Sequence, residues 1–372
     1  MKHTNFNRAD EAGKWDAKLI GKTNGNGYSI TMNSALNTCD ASYLSPRVGR
    51  MEQLASIRRL VSDDGKGRGM RLLEFNNGSG LSFTVYPDRG MDIGQTFYKG
   101  TPLAWLACNG EVAPQFYDAE GFEWLRTWGG GLFTGCGLTN VGGPNAAPGG
   151  PHGLHGRLSH TPAEEVNTTA EWTDGQTYAL SASGRVRQSK VFGENLSLTR
   201  QISTRLGDNS ITIRDTIENR GFSPSPLMLL YHMNLGWPLV DEGTVLEASP
   251  HEVTPQTPRA AAGLAEWSRA CAPIADFSEQ VYYHTIPEGT DGMAAMRLVN
   301  RRLGMALSVS YRTAELPYLI QWKMMGQGEY VMGLEPANCF PEGQEKIAGR
   351  GLLRYLSAGE KIETLVKLTV EG

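Results

Sequence analysis

A basic surplus is missing from this chain. Its 372 residues carry 35 lysines and arginines against 39 aspartates and glutamates, a formal net charge of −4. A nucleic-acid-binding surface spread over the whole chain would need the opposite balance. Cysteine is scarce as well. Cys39, Cys108, Cys136, Cys271 and Cys339 make an odd number, and no two form a CxxC pair. A disulfide scaffold or a cysteine zinc site is therefore not expected. The opening MKHTNFNRADEAGKW has no apolar core of signal-peptide type. No stretch approaches the ~20 apolar residues that span a bilayer. These absences predict a cytoplasmic chain with free thiols and no membrane partner. Helical periodicity is weak throughout. Only Met51–Val61, with Leu54, Ile57, Leu60 and Val61 at helical spacing, predicts a helix.

Glycine and proline, by contrast, are abundant. The 45 glycines and 19 prolines exceed the usual share of about 12%. They call for many turns, or for backbone that passes close to something. With 40% hydrophobic and 20% charged residues, the chain can build a packed core. Short alternating runs supply the elements. A hairpin is read at 70–75 and 81–86 across Asn76-Asn77-Gly78-Ser79-Gly80, and further strands at 177–183, 196–204, 210–218 and 227–234. Later ones are read at 293–299, 305–311, 318–324, 330–335 and 364–370. In Ser210–Glu218 the period is clear: Ile211, Ile213 and Ile217 share one face, and Asp215 is the one polar residue on it. The length permits two domains, but all-β domains often run to roughly 200–250 residues. The expectation is an all-β antiparallel sandwich filling 51–372 as a single domain. Residues 1–50 form an N-terminal extension with a strand or two, one at Tyr28–Met32.

Three places hold candidate chemistry. Between Gly129 and Gly156, 11 of 28 residues are glycine. There is no phosphate loop and no strand-to-helix setting for a dinucleotide fingerprint, so bare backbone beside a polar ligand is the functional reading. The segment ends in His152, His155 and Arg157, with His160 next. An HxxH in a Gly-Pro loop lacks the helix that aligns zinc ligands, so metal is a minor alternative here. In Leu227–Asn234, alternation puts His232 and Asn234 on one face with Met228 and Leu230. A lone histidine there would read as a satisfied core group; two polar residues favour a site. In Tyr330–Glu335, Val331, Gly333 and Glu335 share a face, and Gly333 is expected to leave a gap for a ligand beside the carboxylate. A buried carboxylate costs several kcal/mol unless paired or functional, and burial raises its pKa toward acid–base use. The plain alternative is a salt bridge, for instance with Lys323. Trp128, Trp237 and Trp322 are candidates to stack on a ligand, or else ordinary packing.

Four stretches together resemble the aldose 1-epimerase (galactose mutarotase-like) superfamily, in particular its bacterial branch described as a domain of unknown function. They are YPDRGMDIG (86–94), GGLFTGCGLTNVGGP (130–144) with GLHGRLSHTPAE (153–164), LLYHMNLGWP (229–238) and GLEPANCFPEG (333–343). The resemblance implies a β-supersandwich and an isomerase that interconverts sugar anomers without a cofactor. It implies His232 as acid, Glu335 as base and His155 as a sugar contact. GCGLTNVGG lacks the arginine that mutarotases carry before the LHG turn, so Asn140 or Arg89 is expected in its place. His284 stands near where a sugar-binding aspartate would fall. His152, Arg157, Asn234, Trp322 and Lys323 complete the expected sugar-binding set. The expected partner is a small-molecule sugar, and a homodimer is left open. The other readings are a sugar-binding or regulatory protein without turnover, and an epimerase or isomerase acting at another carbon, with or without a metal at His152 and His155.

Overall fold

Period-two alternation becomes strand wherever one face can be buried. The computed structural model describes residues 36–372. In chain order its strands are β1 (Ser56–Val61), β2 (Arg71–Asn76), β3 (Leu81–Tyr86), β4 (Asp92–Tyr98), β5 (Thr101–Pro102), β6 (Phe133–Leu138) and β7 (Glu164–Trp172). Next come β8 (Tyr178–Ser189), β9 (Asn195–Arg205), β10 (Ser210–Asn219), β11 (Ser225–Gly236), β12 (Val245–Ala248), β13 (Glu252–Pro255) and β14 (Gln280–Thr285). The last are β15 (Met293–Asn300), β16 (Met305–Arg312), β17 (Tyr318–Met325), β18 (Tyr330–Ala337), β19 (Arg354–Leu356) and β20 (Lys361–Glu371). They form a 12-stranded sheet, ordered β1-β2-β3-β4-β6-β11-β18-β17-β14-β13 with β5 on β4 and β19 on β11. The second sheet has eight strands, ordered β12-β15-β16-β20-β10-β9-β8-β7. The result is the all-β antiparallel sandwich expected. Among the described residues the α-helices are three short ones, Ala41–Leu44, Pro258–Ala262 and Gln344–Gly349, and none is long and apolar enough to cross a membrane.

The two sheets close on one large apolar core. β10 shows how. Ile213 lies between Ile202 of β9 and Val366 of β20, and Ile217 between Leu198 and Ile362. Asp215, the polar residue on that face, is fully paired. Arg200 grips it through Nε–Oδ1 at 2.8 Å and Nη2–Oδ2 at 2.6 Å, and Tyr231 Oη donates to Oδ2 at 2.6 Å from the other sheet. Arg200 also donates to the Gly90 carbonyl at 2.9 Å and lies over the Phe133 ring. An ion pair is tolerable in a core only with its hydrogen bonds met in this way.

The larger sheet is covered on its other face too. β11 sits near its middle and is buried almost throughout. Leu227, Leu229, Tyr231, Met233 and Leu235 face the inter-sheet core, while Met228 and Leu230 join a second apolar cluster with Trp124, Trp128, Val281 and Ile320. The segments between β5 and β6 and between β6 and β7 lie over that second face, bringing Trp124, Trp128 and Leu154 onto it.

One expected element is different. Met51–Val61 is a short 3-10 turn, Met51–Gln53, followed by strand β1. β1 pairs with β2, Ile57 opposite Phe75, and Val61 is 63% exposed. Met51, Leu54 and Ile57 still pack against the inter-sheet core, and the edge of the sheet offers β1 a full ladder of backbone partners on β2. In the expected extension, residues 36–50 carry a 3-10 turn and the helix Ala41–Leu44 rather than a strand, with Leu44 buried in the inter-sheet core. Tyr28–Met32 lies outside the described residues.

Candidate active site

β11 and β18 are antiparallel neighbours whose register pairs Leu230 with Ala337 and Met233 with Leu334. That register sets His232 across from Glu335, both pointing to the second face. His232 Nε2 lies 3.3 Å from Glu335 Oε1, and both side chains are almost fully buried. Oε1 and His232 Nδ1 have no hydrogen-bond partner. Salt bridging to Lys323 does not occur: its Nζ donates to the Glu266 carbonyl at 2.5 Å. Alternation along β17 explains this, because Trp322 faces the pair and Lys323 faces away.

Burial dominates the electrostatics. It holds the Glu335 carboxyl well above the ordinary carboxylate range, with the Glu279 charge adding to the effect. It pushes His232 down to about 3, assisted by His155 and opposed by Asn234. His155 is brought down to about 4 by burial. Burial thus disfavours the charged form of both partners, the carboxylate and the imidazolium.

The pair opens into a cavity of about 340 Å³. Aromatic rings frame it. Trp128 and Trp322 stand 5.1 and 5.4 Å from the His232 ring, and His155 stands 5.8 Å from it. Trp128 is fixed by its Nε1 donating to Thr134 Oγ1 at 3.0 Å, and Trp322 by Nε1 donating to Glu279 Oε2 at 2.7 Å. His155 has a φ of 54°, and its Nδ1 accepts from the Gly142 amide at 3.4 Å, which leaves the ring proton on Nε2.

Gly333 plays a different part from the one expected. The gap beside it is filled. A Cβ there would meet Glu335 Oε1 at 2.5 Å and Trp322 Cβ at 2.9 Å. The glycine makes room for the carboxylate itself, which lies back across it.

Of the other expected residues, Asn234 adjoins His232, its Nδ2 donating to the Gly131 carbonyl at 3.0 Å. Several others lie outside this cavity. Asn140 is buried and ties loops together, donating to the Gly153 carbonyl at 2.8 Å and accepting from Asn145 and the Gln344 amide. Arg89 is buried, with Nη1 on the Val112 carbonyl at 2.7 Å and Nη2 on Ser159 Oγ at 3.1 Å. His284 is on the opposite face of β14, between His251 and Gln321 at 2.8 and 3.1 Å. His152 and Arg157 line a separate cleft of about 640 Å³. His152 and His155 thus serve different cavities, and among the described residues no three His, Cys, Asp or Glu side chains converge as metal ligands. Trp237 is 65% exposed and away from the pair. Sequence reasoning missed Trp124, Gln256 and Glu279, all on the cavity wall. Glu279 was legible in part, because it precedes Val281 by two residues and so shares its face if the alternation of β14 is carried back.

Residues 67–370 match the family described as a domain of unknown function, DUF4432. The chain belongs to this family. No curated protein matches the sequence. Among solved structures, a protein from Klebsiella pneumoniae described as a candidate aldose 1-epimerase is 25% identical, with a TM-score of 0.80 over 86% of both chains. A galactose mutarotase-like protein from Clostridium acetobutylicum is 12% identical, with a TM-score of 0.60 over 86% of this chain and 99% of its own. Galactose 1-epimerase from Lactobacillus acidophilus is 13% identical, with a TM-score of 0.55 over 85% and 99%. The last two share the fold. This member of the DUF4432 family thus has the galactose mutarotase-like architecture that the four sequence stretches resemble.

Proposed function

We propose that the protein is a sugar mutarotase in which Glu335 and His232 exchange protons with the substrate. The observation that carries this reading is the 3.3 Å contact between a buried carboxyl and a buried imidazole at the wall of an aromatic cavity. Anomers interconvert through the open-chain aldehyde. With the pair as carboxylate and imidazolium, Glu335 takes the proton of the anomeric hydroxyl while His232 protonates the ring oxygen. The C1–O5 bond breaks and the carbonyl forms. The pair is then a carboxylic acid beside a neutral imidazole, the uncharged forms that burial favours. After rotation about C1–C2, His232 takes the proton back from O5 and Glu335 returns one to O1 as the ring closes on the other carbonyl face. The proton count of the pair never changes, so no outside acid is needed. Two positioned groups, each worth about 10²–10⁴-fold, suffice for a reaction that already proceeds in water.

The test is NMR exchange between anomers across a panel of aldoses and ketoses. Glu335→Gln and His232→Asn should each lower the catalysed exchange by at least ~10²-fold while leaving the fold intact. Near-native turnover in either variant would reject the assignment. Sugar binding without exchange in the wild type would support a sugar-binding protein instead.

A further inference from the structure

The cavity is short of groups that could meet the hydroxyls of an ordinary sugar. Beyond His232 and Glu335, its polar side chains are His155, Gln256 and Glu279. Two of these are partly committed, His155 Nδ1 to the Gly142 amide and Glu279 Oε2 to Trp322 Nε1. Among the described residues, no arginine, lysine, aspartate, asparagine, serine, threonine or tyrosine lines it. The remaining wall is mostly aromatic and aliphatic: Trp124, Trp128 and Leu154 from the covering loops, Val281, Ile320 and Trp322 from β14 and β17.

An aldohexopyranose held with its anomeric hydroxyl and ring oxygen at the acid–base pair brings four further hydroxyls into this space. A hydroxyl buried against tryptophan or isoleucine loses its water and gains no partner, which weakens binding roughly 10- to 100-fold. A methyl or methylene at the same place gains contact instead. Anionic sugars fare worse, since the Glu279 carboxylate lies at the wall and no lysine or arginine lines the cavity. We propose that the site selects deoxy sugars without an anionic group, aldoses in which a hydroxyl or hydroxymethyl is replaced by hydrogen or methyl. The mutarotase reading enters only in placing the anomeric carbon at His232 and Glu335.

The experiment compares matched pairs on the wild-type protein: D-fucose with D-galactose, L-rhamnose with L-mannose, 2-deoxy-D-glucose with D-glucose, and 2-deoxy-D-ribose with D-ribose. Anomer exchange is measured by NMR, each sugar corrected for its spontaneous rate, and affinity is read separately from tryptophan fluorescence. In at least one pair the deoxy member should exceed its parent by tenfold or more in kcat/KM. If no pair reaches that margin in rate or affinity, the proposal fails, whether or not exchange is catalysed. A tenfold preference in affinity with no exchange on any sugar would keep the selectivity and discard the mutarotase. Absence of both exchange and binding would discard both.

Discussion

Replacing Gly333 by alanine adds a single methyl group at the point where Glu335 folds back across its own strand. The added carbon falls 2.5 Å from Glu335 Oε1, where ordinary contact begins near 3.4 Å, so the carboxylate must retreat by about 0.9 Å. The Trp322 Cβ at 2.9 Å must also give, and it is less free to do so because it belongs to the neighbouring strand. Overpacking of this kind costs about 1–3 kcal/mol, less the roughly 0.5–1 kcal/mol gained by removing a glycine from a strand. At roughly 2–4 °C per kcal/mol the melting temperature should fall by no more than about 10 °C, and the protein stays folded at 25 °C. Activity should suffer far more. A shift of about 1 Å in a reacting group costs on the order of 10²-fold. The variant should therefore lose about two orders of magnitude in anomer exchange at full folded content, with sugar affinity much less affected. Exchange by NMR, melting temperature and tryptophan fluorescence on one preparation decide the matter. Wild-type exchange in the alanine variant would show that the position of the Glu335 carboxylate does not govern the reaction, and would remove it from the mechanism.

Glu335→Gln should stabilise the fold increasingly as pH rises. The folded carboxyl keeps a proton that the unfolded chain releases above its ordinary range near 4.5, so wild-type stability falls through that window while the amide does not titrate. Urea unfolding from pH 5 to 8 should show a widening gap between the two, and parallel curves would contradict the raised pKa. Asp215→Asn leaves the Arg200 guanidinium without its counter-charge between the sheets, at a cost of about 3–5 kcal/mol. Denaturant titration checks it, and a loss under about 1 kcal/mol would mean that the pair is not the keystone the packing implies. Lys323→Met should leave anomer exchange within about twofold of wild type, because the ammonium is tied to the Glu266 carbonyl on the far face of β17; a large loss would return Lys323 to the site.

How far the site was legible follows from distance along the chain. His232 and Glu335 stand out within their own strands, each a polar residue in an apolar alternating run. Their facing was readable from period two alone. Arg89, Asn140 and His284 are equally suggestive in one dimension, but each is consumed by neighbours far away in sequence: Arg89 by Val112 and Ser159, Asn140 by Gly153 and Gln344, His284 by His251 and Gln321. Hydrogen-bond saturation by remote partners leaves no local trace. Trp124 and Gln256 are the reverse case, unremarkable in sequence yet brought to the cavity by loops whose paths no periodicity encodes.

An all-β antiparallel sandwich is legible in the residue pattern, because alternation and turn residues are local consequences of backbone geometry and burial. So is the choice of faces on β11 and β18 that carry His232 and Glu335. Tertiary structure alone decided that these two strands are neighbours in a register that brings Nε2 within 3.3 Å of Oε1. Only there did the space beside Gly333 prove to belong to the Glu335 carboxylate. Pairing between strands separated by about a hundred residues is fixed by the packing of the whole sheet, and shape at the scale of one methyl group is fixed only once that packing is complete.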